Sequence, residues 1–246
     1  MQRSLTKGPI TSGILLFALP LMLGNLLQQM YNIADTWVVG RFLGADALAA
    51  VGSSYTLMTF LTSILLGLCM GSGAAISMQY GSGQHDRMRQ SVFLSFTLIA
   101  GIAVVLNVLV YLGLGGILWV LRVPDELRSL MKEYLLIIFL GITATFLYNY
   151  FANLLRAIGN SVVPLLFLAI SAVLNVILDL VCVLVLHWGV SGAAGATVFS
   201  QFVSGVGIGV YTLKKFPQLC PKKADCRWDK KNLDTILNLS VMTSVQ

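Results

Sequence analysis

The sequence predicts an all-α integral membrane protein, a bundle of six transmembrane helices, and three observations carry that reading. Of its 246 residues, 57% are hydrophobic and 11% charged, against roughly 25% charged in soluble domains. Acidic and basic residues are confined to short breaks. None occurs from Ala47 to Gln84, from Ser91 to Leu121 or from Tyr134 to Leu155, and Asp179 stands alone between Ala157 and Leu213. A crossing helix needs about 20 apolar residues, which these stretches supply. The third observation is the distribution of charge. With the N-terminus inside, twelve of the 16 basic residues fall on the inner side, and only Arg41, Arg122, Arg128 and Lys132 on the outer. The positive-inside rule then puts both ends in the cytoplasm of a multi-pass protein of the cell membrane. The net charge of +6 is thereby a topology signal. It makes the lipid bilayer the expected partner and gives no reason to expect nucleic acid.

The first span covers about residues 10–40. It is too long for a signal-peptide core and shows no small-residue cleavage site. Pro20 inside it removes a backbone donor and clashes with the preceding turn, so a bend is expected over residues 16–20. A short outer turn, 41–46, leads to the second span, where Gly67, Gly71 and Gly73 suit close helix packing. The inner loop 81–90 is polar, and the third span begins at Ser91. In the outer connection 122–132, Val-Pro-Asp-Glu reads as a helix start, with proline in the first turn and acids at the positive end.

The fourth span covers 134–155 and closes at the inner loop Arg156-Ala-Ile-Gly-Asn-Ser. The fifth begins near Val162. A break at His187-Trp188-Gly189, whose rings suit the interface, separates it from the sixth, which ends at Lys214-Lys215. Residues 1–215 thus form the six-helix bundle, 216–234 a basic cytoplasmic linker, and 235–246 the opening of a seventh span. The chain reads as the first half of a longer transporter, with a second six-helix half as its missing partner.

The four cysteines say little. Cys69 and Cys182 lie in apolar helices as packing residues, while Cys220 and Cys226 fall in a cytoplasmic segment where disulfides are not expected. Their spacing matches no zinc pattern, and no metal site or cofactor is expected.

Function is expected at Asp35 and Asp179, the two acids deep within apolar spans. A carboxylate at bilayer depth is costly, so it faces a cavity or partner and serves an ion or substrate. Asn25, Gln28, Gln29, Asn32, Asp35 and Thr36 form one face of the first helix, which must look into protein or water. Ser171, Asn175 and Asp179 repeat the pattern at steps of four in the fifth. Asn149, Asn153 and Arg156 in the fourth span, Thr197, Gln201 and Ser204 in the sixth, and Tyr55, Thr59 and Thr62 in the second also bring polar groups inward. Together they describe a hydrated cavity. For the hydroxyls and single asparagines, plain interhelical hydrogen bonding is the better reading. Arg156 reads as a snorkelling side chain at a helix end.

Several segments resemble one family. Ala18-Leu-Pro followed by Leu-Gln-Gln-Met-Tyr-Asn-Ile-Ala-Asp-Thr-Trp-Val-Val-Gly is similar to the first helix of multidrug and toxic compound extrusion (MATE) transporters. Leu154-Leu-Arg-Ala-Ile-Gly-Asn-Ser-Val-Val-Pro resembles their junction between helices 4 and 5, Leu174-Asn-Val-Ile-Leu-Asp their helix 5 and Gly189-Val-Ser-Gly-Ala-Ala-Gly-Ala-Thr the start of helix 6. The resemblance implies two six-helix bundles, of which this is the N-terminal one. It also implies a cation site at Asp35, Asn175, Asp179 and Thr197, with Asn153 as a further ligand and Pro20 as the kinking proline.

The expected function is secondary active antiport: small organic molecules, often cationic, leave in exchange for H⁺ or Na⁺, with Na⁺ held at Asp35 and Asp179. Asn25, Gln28, Asn32 and Gln201 are candidate cation or substrate-cavity residues. A lipid-linked saccharide flippase of the same superfamily is the alternative, but it would line its cavity with arginine and lysine, and no basic residue lies mid-helix. An intramembrane aspartyl protease would need a Gly-x-Gly-Asp context that Asp179 lacks. An inactive half-transporter is the last alternative.

Overall fold

The computed structural model describes residues 10–120, 123–222, 225 and 229–245, and these are helical nearly throughout. The charges at Arg3, Lys7, Arg122, Lys223 and Arg227, and Cys226, lie outside the described residues. The first helix, α1 (Ile10–Phe42), runs unbroken with Pro20 inside it. Next come α2 (Ala45–Gly81) and α3 (His85–Val120). Their join is tighter than the polar run 81–90 suggests, because α3 takes its first turn from polar residues ahead of the apolar stretch. Gly83, with φ of 72°, makes the turn in a backbone region that glycine enters without penalty.

The fourth span departs from the expected single helix. It is built from α4 (Asp125–Ile138) and α5 (Gly141–Ala157), bent by 43° at their junction. No proline sits there. Leu140 N donates to Ile137 O at 3.1 Å, so Leu136 O loses its usual helical partner. Two α3 side chains meet carbonyls at the bend: Tyr111 Oη donates to Leu136 O at 2.6 Å, and Asn107 Nδ2 donates at 2.7 Å to Phe139 O, which also accepts from Ile142 N. A freed carbonyl at membrane depth has no water to bond, so such donors make the bend tolerable. With that pair counted as one span, six helical spans among the described residues are long and apolar enough to cross a membrane.

The fifth span is α6 (Val162–Leu180) with a π-helical turn at Val181–Val185, and the sixth is α7 (Gly189–Lys215). The break falls at His187-Trp188-Gly189, where His187 and Gly189 take φ of 55° and 58°. A 3₁₀ turn, Pro217–Leu219, follows, and α8 (Lys230–Val245) packs on α2 and α3. Asp225 ties the connection to α3 by accepting from Arg89 Nε at 2.8 Å, and that guanidinium holds its carboxyl below the usual carboxylate range. Seven of the helices, α2 to α8, and α1 make one bundle in which α7 lies between α5 and α6, while α1 leans mainly on α6.

Small residues set these distances. A Cβ at Gly205 would stand 2.9 Å from the Ala144 carbonyl oxygen, and one at Gly192 would stand 3.1 Å from Cys182 Cβ. Absent side chains therefore let α7 approach α5 and the end of α6 closely. The α3–α5 side is sealed by aromatic contacts among Phe96, Phe146 and Tyr150. Tyr150 Oη donates to Val92 O at 2.8 Å.

Candidate functional site

Close approach of α7 to α6 places Thr197, in the third turn of α7, beside the last two turns of α6. Asn175 and Asp179, one turn apart on α6, are fully buried there, and Thr197 is buried too. The Asn175 amide is oriented by these neighbours. Its nitrogen donates to Asp179 Oδ2 at 3.1 Å, while its oxygen accepts from Thr197 N at 3.3 Å and Thr197 Oγ1 at 3.2 Å. Asp35 reaches the group from α1, with its side chain beside that of Asp179. Oδ1 of Asp35 and Oδ1 of Asp179 are each buried with no hydrogen-bond partner among the described residues. Two carboxyl groups this close are held together by a shared proton or cation, since like charges side by side repel. All four residues singled out for a cation site are thus in one place, and their oxygens suit a hard monovalent cation or a proton.

Two tyrosines join them that sequence reasoning did not single out. Tyr31 sits one turn before Asp35 and shares the wall of one cavity with Gln201. Its spacing of four from Asp35 was the available signal. Tyr134, on α4, lies within electrostatic reach of Asp35, Asp179 and Tyr31; nothing in its own helix points to them. The network continues as Thr145 Oγ1 donates to Gln201 Oε1 at 2.6 Å. Beyond it lies a cavity of about 60 Å³, walled by Gln28 and Tyr31 of α1, Thr145 and Asn149 of α5, Ser171 of α6 and Gln201 of α7. That volume admits a few water molecules, one needing roughly 10–15 Å³.

The other candidates lie apart from the acid pair. Asn25 is exposed, and Asn32 Nδ2 donates to Gln29 Oε1 at 3.4 Å on the open side of α1. The polar face of α1 is therefore split: Tyr31 and Asp35 are half-buried, while Asn25, Gln28, Gln29 and Thr36 stay exposed, Gln28 at the edge of the cavity. Asn153 Nδ2 donates to Asn149 O at 2.9 Å, and its Cβ packs against Gly73 of α2. Pro20 is half-buried, well before Asp35 on the same helix. Among the described residues no three His, Cys, Asp or Glu side chains cluster as a metal site.

The profile of the MatE family matches residues 20–181. The chain is 31% identical to the probable multidrug resistance protein YpnP of Bacillus subtilis over 98% of this chain and 54% of that protein. It is 29% identical to the multidrug export protein MepA of Staphylococcus aureus over 85% of this chain and 46% of that one. Among solved structures, a MOP superfamily transporter from Pyrococcus furiosus superposes with a TM-score of 0.91 at 25% identity, covering 98% of this chain and 53% of its own. The chain spans about half the length of the curated relatives it matches. Matched over most of its bundle, in sequence and in shape, the chain belongs to the MatE family, whose members are transporters and not enzymes.

Proposed function

We propose that this chain is the first of two six-helix halves of an antiporter of the cell membrane. It exports small organic molecules, often cationic, in exchange for H⁺ or Na⁺. The observation that carries this reading is the meeting of Asp35 with Asp179, each keeping an unpartnered carboxylate oxygen, with Asn175 bonded to Asp179 and Thr197. A proton or Na⁺ entering between the carboxyls cancels their repulsion and favours α1 against α6 and α7; its loss favours separation. Coupling needs only that ion and substrate prefer different ones of these two states. Pro20 supplies a weak point about 15 residues, or about 22 Å, before Asp35.

In a protein joining this chain to its second half, Asp35→Asn and Asp179→Asn are each expected to abolish export. Insertion should survive, because an amide costs less than a charge at bilayer depth. Efflux from cells and the amount of membrane-inserted protein are measured together. Wild-type efflux in both variants would refute ion coupling at this pair. The orientation is tested separately: single cysteines at Asp46 or Asp125 should react with an impermeant thiol reagent in intact cells, and cysteines within 81–90 or 216–234 should not.

A further inference from the structure

A second cavity, of about 240 Å³, lies away from the acid pair, where α2 ends and α3 and α8 begin. Its polar wall is Gln79 and Ser82 from α2, Gln84 and Arg87 from the start of α3, and Asn232 and Thr235 from the start of α8. Asn232 holds the three helices together. Its Oδ1 accepts from Gln79 Nε2 at 2.9 Å and from Ser91 Oγ at 3.0 Å, and its Nδ2 donates to Arg87 O at 3.4 Å. Gln79 Oε1, by contrast, is buried with no hydrogen-bond partner among the described residues. A buried acceptor in that state is costly, and a donor brought by a ligand removes the cost.

The surrounding charge favours an anion. Arg87 is exposed and reaches Gln84 Oε1 at 3.4 Å, while the neighbouring Arg89 is already engaged by Asp86 and Asp225. Two helices, α3 and α8, start at the cavity, and helix starts carry partial positive charge. The opposing end of α2 is muted, because its last carbonyls accept from the backbone N–H groups of Ser82, Gly83 and Gln84. Met78, 55% exposed, adds an apolar wall at the rim.

We propose that this cavity binds a phosphate ester whose head carries a hydroxyl or ammonium donor, supplied by an anionic phospholipid of the surrounding bilayer. The phosphate sits against Arg87 and the starts of α3 and α8. The donor completes Gln79 Oε1, and the acyl chains leave past Met78. A soluble glycerol phosphate shares the head chemistry but gains nothing from Met78.

The test is lipid retention. The purified chain is exchanged in detergent against equal amounts of phosphatidylglycerol, phosphatidylmethanol and phosphatidylcholine, and retained lipid is counted by native mass spectrometry. Phosphatidylmethanol has the charge of phosphatidylglycerol but no head donor. The wild type should retain phosphatidylglycerol first and phosphatidylcholine last. Arg87→Gln should lower retention of both anionic lipids about tenfold, the loss of one charge-assisted contact, and Arg87→Lys should recover part of it. Gln79→Met should erase only the preference for phosphatidylglycerol over phosphatidylmethanol. Helix content by circular dichroism confirms that each variant is folded, and Arg87, being exposed, is the variant that settles the matter if Gln79→Met unfolds. Equal retention of all three lipids by the wild type, or unchanged retention in Arg87→Gln, would overturn the proposal. Displacement of the lipid by millimolar glycerol phosphate would overturn the lipid source.

Discussion

Both α1 and α7 deliver a side chain to the acid pair, yet they are held in opposite ways. Within an 18-residue apolar stretch of each helix, 6% of α1 is buried against 50% of α7. On α7, backbone meets neighbour with no room between: a Cβ at Gly205 would lie 2.9 Å from Ala144 O, one at Gly207 2.8 Å from the Phe167 ring, and one at Gly209 3.0 Å from Phe151. On α1, a Cβ at Gly24 would meet Leu165 at 3.8 Å, an ordinary contact. A helix with few buried contacts sits at the low-stability end of a structure. The proposed ion site thus pairs a closely packed wall of Asn175, Asp179 and Thr197 with a wall carrying Asp35 and Tyr31 that has fewer buried contacts within this chain. On the proposed function, such a site changes its geometry by moving one wall.

The largest effect expected from this contrast is on stability. Gly205→Ala should cost roughly 1–3 kcal/mol by forcing a side chain into packed backbone. Gly24→Ala should be neutral or stabilising by up to about 1 kcal/mol, because alanine is the better helix former. Thermal unfolding of the two purified variants in one detergent compares them directly, and equal shifts would erase the distinction. A smaller effect is expected at Pro20. Pro20→Ala restores one backbone hydrogen bond, worth roughly 0.5–1.5 kcal/mol, and so should slow export by up to about tenfold without weakening substrate binding. Affinity and transport rate measured on the same protein decide it, and an unchanged rate would leave Pro20 as a packing residue. The smallest effect belongs to the clamped side. A Cβ at Gly141 would lie 3.8 Å from Val198 Cβ, about the mean separation in a disulfide. Oxidising the pair Gly141→Cys and Val198→Cys should leave export as it was. Lost export that returns on reduction would show that α5 and α7 move against each other.

Much of this architecture was legible in the sequence, because membrane spans are written in composition. The charge-free stretches mark the spans, although α3 begins six residues and the fourth span nine residues ahead of them, and His187-Trp188-Gly189 marks the join of the last two. The acids were legible as well, since only Asp35 and Asp179 are out of place in apolar surroundings. What stayed hidden depends on contacts between helices. The bend between α4 and α5 has no proline to announce it; its carbonyls are met by Asn107 and Tyr111, more than 20 residues away in sequence. Tyr134 joins the acids only because α4 packs beside α7. The polar face of α1 read as a single stripe, while neighbours on one side alone divide it into an inward and an open part. Asn153 shares its helix with Asn149 but turns to Gly73, a difference that helical spacing could not fix to a residue.

On the proposed function, the two α3 side chains at the bend give that helix a part in transport without any share in the ion site. They work like a splice across a cut cable, carrying the load where the fourth span's own ladder is interrupted. Variation at Asn107 or Tyr111 will therefore register as altered posture of α4, and with it of Tyr134, in a protein whose acids and cavity are chemically untouched. Natural or selected changes in α3 that alter drug tolerance would have their explanation there, in the angle of a neighbour.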